Sequence, residues 1–166
     1  MSQAKLLNPP TFVEKNGLKF LIFDAPSAQT LPLYLKEFKK YHVTDVVRVC
    51  DPTYPIEPLE KEHIKVHELS FPDGKAPPKN IVNEWLEIVQ KCFQDTKEDK
   101  PTIGVHCVAG LGRAPVLVAI ALIEQGMSPL DSVQFLRENR KGAINNKQIE
   151  YIEAYRRQGK GKCIIC

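Results

Sequence analysis

The segment His106-Cys107-Val108-Ala109-Gly110-Leu111-Gly112-Arg113 puts a thiol and a guanidinium at the two ends of a short turn. Cys-x5-Arg is a weak pattern by itself, and its surroundings give it content. Thr102–Cys107 (TIGVHC) is a short buried strand, and Arg113–Gln125 is an almost wholly apolar helix. Gly110 and Gly112 let the turn between them adopt positive φ and bring backbone close to a ligand. Several backbone N–H groups and a helix N-terminus then converge on one point, which is an anion site. The same field favours the thiolate of Cys107, the nucleophilic form. Arg113 offers a planar fork to two phosphoryl oxygens. The chemistry that suits this set is attack of the Cys107 thiolate on a phosphate ester. The amides of Val108, Ala109, Gly110, Leu111 and Gly112, with Arg113, hold the equatorial oxygens. An inert buried cysteine has no need of an electropositive turn. His106 stays open between holding the loop, tuning the thiol and plain packing.

A leaving alkoxide or phenoxide needs a proton. Asp73 lies in Phe71-Pro72-Asp73-Gly74, a Pro/Gly-rich loop of the kind that closes over a site. An ordinary turn aspartate is the competing reading, since Asp-Gly is common in turns, and Asp51 is a weaker alternative acid. Of the five cysteines, Cys92 falls on the apolar stripe of a helix and reads as core. Cys50 ends an apolar strand, and the residues alone favour a buried apolar cysteine.

The elements that must position these groups follow from local patterns. Thr11–Glu14 and Leu18–Asp24 flank Asn16-Gly17, a hairpin signal. Thr30–Tyr41 reads as a helix, and Val43–Cys50 and Ile64–Leu69 as strands. Pro77–Asp95 carries Ile81, Trp85, Ile88 and Cys92 on one stripe and reads as a helix. After the central helix, Ser128-Pro129 opens another to about Asn139, with Ser at N-cap, and a last helix covers about Asn146–Arg157. Strands alternating with helices predict an α/β domain with a mainly parallel central sheet flanked by helices. It occupies residues 1–158, and residues 159–166 form a tail of different composition.

With 43% hydrophobic and 26% charged residues, the 166-residue chain is expected to be one globular domain. A net charge of +3 argues against a dedicated nucleic-acid binder. MSQAKLLNPP has no apolar signal-peptide core, and the longest apolar run, Ala114–Ile123, is too short to span a bilayer. The cysteine spacing fits no structural zinc site, and neither metal nor cofactor is expected. Reduced thiols in the cytoplasm are the default. The end Cys163-Ile164-Ile165-Cys166 fits the C-a-a-X prenylation pattern at Cys163. Arg156, Arg157, Lys160 and Lys162 upstream supply the basic second signal for membrane binding.

HCVAGLGRAPVLVAIALIE resembles the signature of the protein tyrosine phosphatases, specifically the phosphatase of regenerating liver (PRL) family, which carries Ala where Ala114 stands. The likeness extends through VVRVCDPTY, GKAPP, IVNEWLEIV, SVQFLRENRKGAINNKQIEYIEAYR and the terminal cysteine box. It implies the compact dual-specificity-type cysteine phosphatase fold and hydrolysis of phosphoproteins or other phosphate monoesters through a phosphocysteine. It implies Asp73 as general acid, although Leu69 or Ser70 stands where the family usually has Trp. It also implies Cys50 as a redox disulfide partner of Cys107. Ala114 lacks the hydroxyl that helps expel sulfur in related phosphatases, which implies slow turnover. Gln148 is similar to a residue that positions water. The resemblance further implies prenylation, a peripheral location on plasma or endosomal membranes, homotrimers, and binding of CBS-domain magnesium transporters through the Cys107 pocket. In that last role the protein would be a binding module rather than an enzyme. A rhodanese-like or arsenate-reductase-like thiol enzyme is opposed by Arg113 and the Asp73 loop. A lipid phosphatase is not favoured by a loop with no basic residue inside it.

Overall fold

The computed structural model describes residues 5–94 and 100–158. The Asn16-Gly17 pair turns the chain between β1 (Thr11–Lys15) and β2 (Leu18–Phe23), which pair antiparallel. Both turn residues hold positive φ, 52° and 84°, the twist a two-residue hairpin requires. Helix α1 (Leu31–Lys40) leads to β3 (Val43–Arg48), a short α2 (Glu57–Lys61) to β4 (Lys65–Glu68), and α3 (Lys79–Phe93) to β5 (Thr102–His106). Helices α4 (Arg113–Glu124), α5 (Pro129–Asn139) and α6 (Asn146–Ala154) complete the chain. The sheet order is β1-β2-β5-β3-β4, and every pairing except β1–β2 is parallel. The expected mainly parallel α/β architecture is thus present.

Strand alternation splits the core into two layers. Leu18, Phe20 and Ile22 of β2 face one cluster with Trp85, Phe93 and all of the apolar α4, while Leu21 and Phe23 face another with Leu31, Tyr34 and Phe38 of α1. Every residue of α4 is buried, as its unbroken apolar run requires. Trp85 joins α3 to α4 by donating its indole N–H to Leu117 O at 2.7 Å.

Two helix ends and one additional helix differ from expectation. Helix α3 starts at Lys79 rather than Pro77, because Pro78 is extended (φ −60°, ψ 155°) and serves as N-cap. Helix α6 ends at Ala154 rather than about Arg157, since Tyr155 turns extended. Helix α2, unread in the sequence, spans too few residues for a periodic stripe to register. Ser128 caps α5 as expected, accepting from Asp131 N at 3.2 Å. No described helix is long and apolar enough to cross a membrane. Cys163 and the rest of the 159–166 tail lie outside the described residues, as does Asp95.

Candidate active site

Parallel strands deliver their carboxyl ends to one edge of a sheet, and ligands of α/β folds bind there. Here β5 sits between β2 and β3, with Arg48 in register with His106. The residues that follow, Cys50 from β3 and Cys107 from β5, emerge on the same edge. Cys107 is 3% exposed, at the floor of a cavity of about 280 Å³. Asp73, Arg113, Asn145 and Gln148 line the same cavity, together with Val108, Ala109, Leu111 and Gly112 of the loop. The structure therefore brings together the sequence-predicted nucleophile, acid, cation and loop. Asp51 is exposed and not among the described lining residues, so it is not placed as an acid.

The loop is pegged from behind. Ala25 N donates to Val108 O at 2.9 Å, and Ile144 N donates to Leu111 O at 2.7 Å. Gly110 holds φ +68°, the left-handed region open to glycine. Arg113 begins α4 and is 8% exposed. Its Nη1 donates to Phe71 O at 3.0 Å, which ties it to the Asp73 loop. Among the described residues its Nε has no hydrogen-bond partner; it forms an ion pair with Asp73 Oδ1 at 3.7 Å, beyond hydrogen-bonding range. A buried guanidinium N–H left open beside a ring of amides is a donor awaiting an anion. Asp73 itself is 80% exposed at the rim, free to meet a leaving group arriving from solvent.

His106, undecided in the sequence, is resolved by its bonds. It is fully buried, with Nδ1 3.2 Å from Cys107 O and Nε2 2.7 Å from Tyr54 Oη. A carbonyl only accepts, so the network assigns the proton to Nδ1, and Tyr54 donates to Nε2. Burial drives the imidazole pKa down to about 4. The ring is neutral near pH 7, so it is not a cation beside Cys107, and with both nitrogens engaged, one by Cys107 O and the other by Tyr54 Oη, it braces the loop. Arg48 extends the chain of bonds, donating to Tyr54 O at 2.8 Å and forking onto Glu68.

Gln148 sits 4% exposed in a capping box, its Oε1 accepting from Asn145 N at 2.9 Å and its own N–H donating to Asn145 Oδ1 at 2.8 Å. That bond turns the other end of the amide to the loop: a Cβ built on Gly112 would lie 3.1 Å from Gln148 Nε2. Ala114 is fully buried behind the loop. Cys50 is 2% exposed, a free thiol like Cys107, with Sγ 3.9 Å from His106 Nδ1. Burial chiefly raises its pKa, while the nearby Arg113 opposes that. Tyr54, Asn145 and Arg140 were missed in the sequence. Only the N-cap pattern Asn145-x-x-Gln148 offered a local signal.

A larger cavity, about 760 Å³, opens between α3 and strands β3 and β4. Cys92 borders it, half-buried and packed against the edge of the hydrophobic core rather than within it. Its thiol donates to Asp45 Oδ1 at 3.4 Å, and burial with that carboxylate pushes its pKa up to about 12. Such a thiol is a poor nucleophile.

The family described as the dual specificity phosphatase catalytic domain matches residues 22–158. The chain is 53% identical over 163 residues to the probable protein tyrosine phosphatase type IVA A of Dictyostelium discoideum, covering 98% of this chain and 97% of that one. It is 46% identical to the PRL-1 phosphatase of Drosophila melanogaster, covering 98% of this chain and 91% of the relative. A solved structure of a putative protein tyrosine phosphatase from Leishmania major superposes with a TM-score of 0.80 at 42% identity, covering 89% of this chain and 99% of that one. The chain therefore belongs to the dual specificity phosphatase family and, within it, to the type IVA (PRL) protein tyrosine phosphatases, which are cysteine-dependent enzymes.

Proposed function

We propose that Cys107, Arg113 and Asp73 carry out hydrolysis of phosphate monoesters through a phosphocysteine, with slow release of phosphate. The observation that carries this reading is the open Nε of buried Arg113 beside Cys107 and Asp73 in one cavity. In the first step the thiolate forms an S–P bond as the ester P–O bond breaks. Asp73 transfers its proton to the leaving oxygen. The loop amides and Arg113 hold the three equatorial oxygens. In the second step water, oriented by Gln148, attacks phosphorus and gives a proton to the Asp73 carboxylate. The S–P bond then breaks, returning thiolate and inorganic phosphate. Ala114 brings no hydroxyl to the departing sulfur, which supports a slow second step.

A peroxide would oxidise the Cys107 thiolate to a sulfenic acid, the peroxide O–O bond being reduced. Attack of the Cys50 thiol on that sulfur would then release water and leave a Cys50–Cys107 disulfide that shuts the site, and their place on one sheet edge supports this reading. Prenylation at Cys163 with the adjoining basic residues would hold the protein on a membrane surface. Exposed Val108 (60%) and Leu111 (37%) at the cavity mouth favour a second reading, in which the apolar rim docks a protein partner such as a CBS-domain transporter. One comparison tests both. Wild type, Cys107→Ser and Asp73→Ala are assayed on a phosphotyrosine peptide, with intact mass spectrometry and a transporter-domain pull-down. Turnover retained by Cys107→Ser refutes the mechanism, and partner binding unaffected by a phosphate adduct on Cys107 refutes docking through this pocket.

A further inference from the structure

Arg140 stands at the C-cap of α5, and its side chain folds beneath the phosphate loop with 8% exposure. Nε donates to Gly110 O at 2.8 Å, and Nη2 to Ala109 O at 3.4 Å. The same guanidinium is gripped from the other side by the hairpin. Nη2 meets Asp24 Oδ1 at 2.8 Å, and Nη1 donates to Thr11 Oγ1 at 2.9 Å and Ile22 O at 3.3 Å. Arg140 is not among the residues lining the cavity around Cys107.

A trans peptide points its C=O and the following N–H in opposite directions. Holding the carbonyls of Ala109 and Gly110 against Arg140 therefore turns the N–H groups of Gly110 and Leu111 toward the cavity. The flanking carbonyls, of Val108 and Leu111, are pegged by backbone donors, Ala25 N and Ile144 N. Among the described residues, the middle pair is held by this one side chain. Loop and guanidinium are built against each other so closely that a Cβ on Gly110 would lie 2.7 Å from Arg140 Nη2.

We propose that Arg140 is a positioning residue for catalysis: its planar fork, fixed by Asp24 and the hairpin, presents the Gly110 and Leu111 amides to the bound phosphoryl group. This rests on the reading that the Cys107 loop binds phosphate. Lysine cannot replace it, because one ammonium on a flexible stem cannot span both carbonyls and Asp24 at fixed angles.

The test measures the inhibition constant of orthophosphate, kcat and KM for wild type, Arg140→Ala and Arg140→Lys. Val89→Ala, a remote core truncation, controls for lost stability. Arg140→Ala raises the phosphate inhibition constant and lowers kcat/KM by on the order of 10-fold or more, as misaligned oxyanion donors do. Arg140→Lys falls between, and sub-denaturing guanidinium chloride restores phosphate affinity to Arg140→Ala. Val89→Ala melts at lower temperature with an unchanged inhibition constant. An inhibition constant within twofold of wild type in folded Arg140→Ala overturns the proposal. If Arg140→Ala does not fold, the same value in Arg140→Lys does so. Guanidinium that raises the melting temperature of Arg140→Ala without tightening phosphate also overturns it. Failure of the underlying reading looks different: orthophosphate would not inhibit the wild type.

Discussion

Acid should weaken this fold through His106. An ordinary histidine takes up its proton near pH 6.5, and the unfolded chain does so there. In the folded protein His106 refuses the proton until about pH 4, because burial penalises the cation. Between those values the unfolded state binds more protons than the folded state, so stability falls as pH falls. Above pH 6.5 the contribution is fully present. From a shift of 6.5 to about 4, linkage gives a loss of about 1.5 kcal/mol at pH 5.5 and about 2.5 kcal/mol at pH 4.5. A double difference is needed to cancel the contributions of every other group to the pH dependence. Urea denaturation of wild type and His106→Asn, from pH 7.5 down to 4.5, isolates the histidine. At pH 7.5 the variant should be less stable by about 1–3 kcal/mol, because Tyr54 Oη loses its buried acceptor. That gap should shrink on acidification by about 1.5 kcal/mol at pH 5.5. A gap that stays constant from pH 7.5 to 5 would refute the claim that His106 is held neutral.

Other perturbations read other parts of the site. Gly110→Ala places a methyl group 2.7 Å from both Arg140 Nη2 and Phe23 O at φ +68°, and should cut kcat/KM by on the order of 10-fold or more. Asp73→Asn should slow phenyl phosphate on the order of 100-fold, but p-nitrophenyl phosphate far less, because nitrophenolate leaves without a proton; equal losses would remove Asp73 as the acid. Ala114→Ser should shorten the lifetime of the phosphoenzyme in a rapid-quench experiment, and an unchanged decay would assign the slow step elsewhere. Ser128→Ala should cost about 1 kcal/mol in urea denaturation through loss of the α5 cap, with activity unchanged.

Elements whose information is local were legible. Asn16-Gly17 specifies its own hairpin through two positive φ angles, Ser128-Pro129 its own helix start, and the α4 run its own burial. The same holds for the outline of the loop from Cys107 to Arg113, because strand, glycines and helix N-terminus are contiguous in the chain. Asp73 and Cys50 were named from chain order and likeness, and the parallel pairing of β3 with β5 and β4 was needed to bring them to one edge.

Other features had no sequence signal because their partners are far apart in the chain. The protonation state of His106 depends on Tyr54 and on complete burial, both products of packing. The half-buried position of Cys92 depends on a groove that α3 leaves uncovered beside β4. Arg140 meets Thr11, Ile22, Asp24, Ala109 and Gly110 only once hairpin, loop and α5 are stacked. The sequence by itself determined that Cys107 lies at the start of a glycine-containing turn that leads into a helix N-terminus at Arg113, since those features belong to neighbouring residues. Tertiary structure alone decided how the loop is held open for phosphate, since a buried guanidinium becomes a brace only when distant backbone carbonyls and a carboxylate surround it.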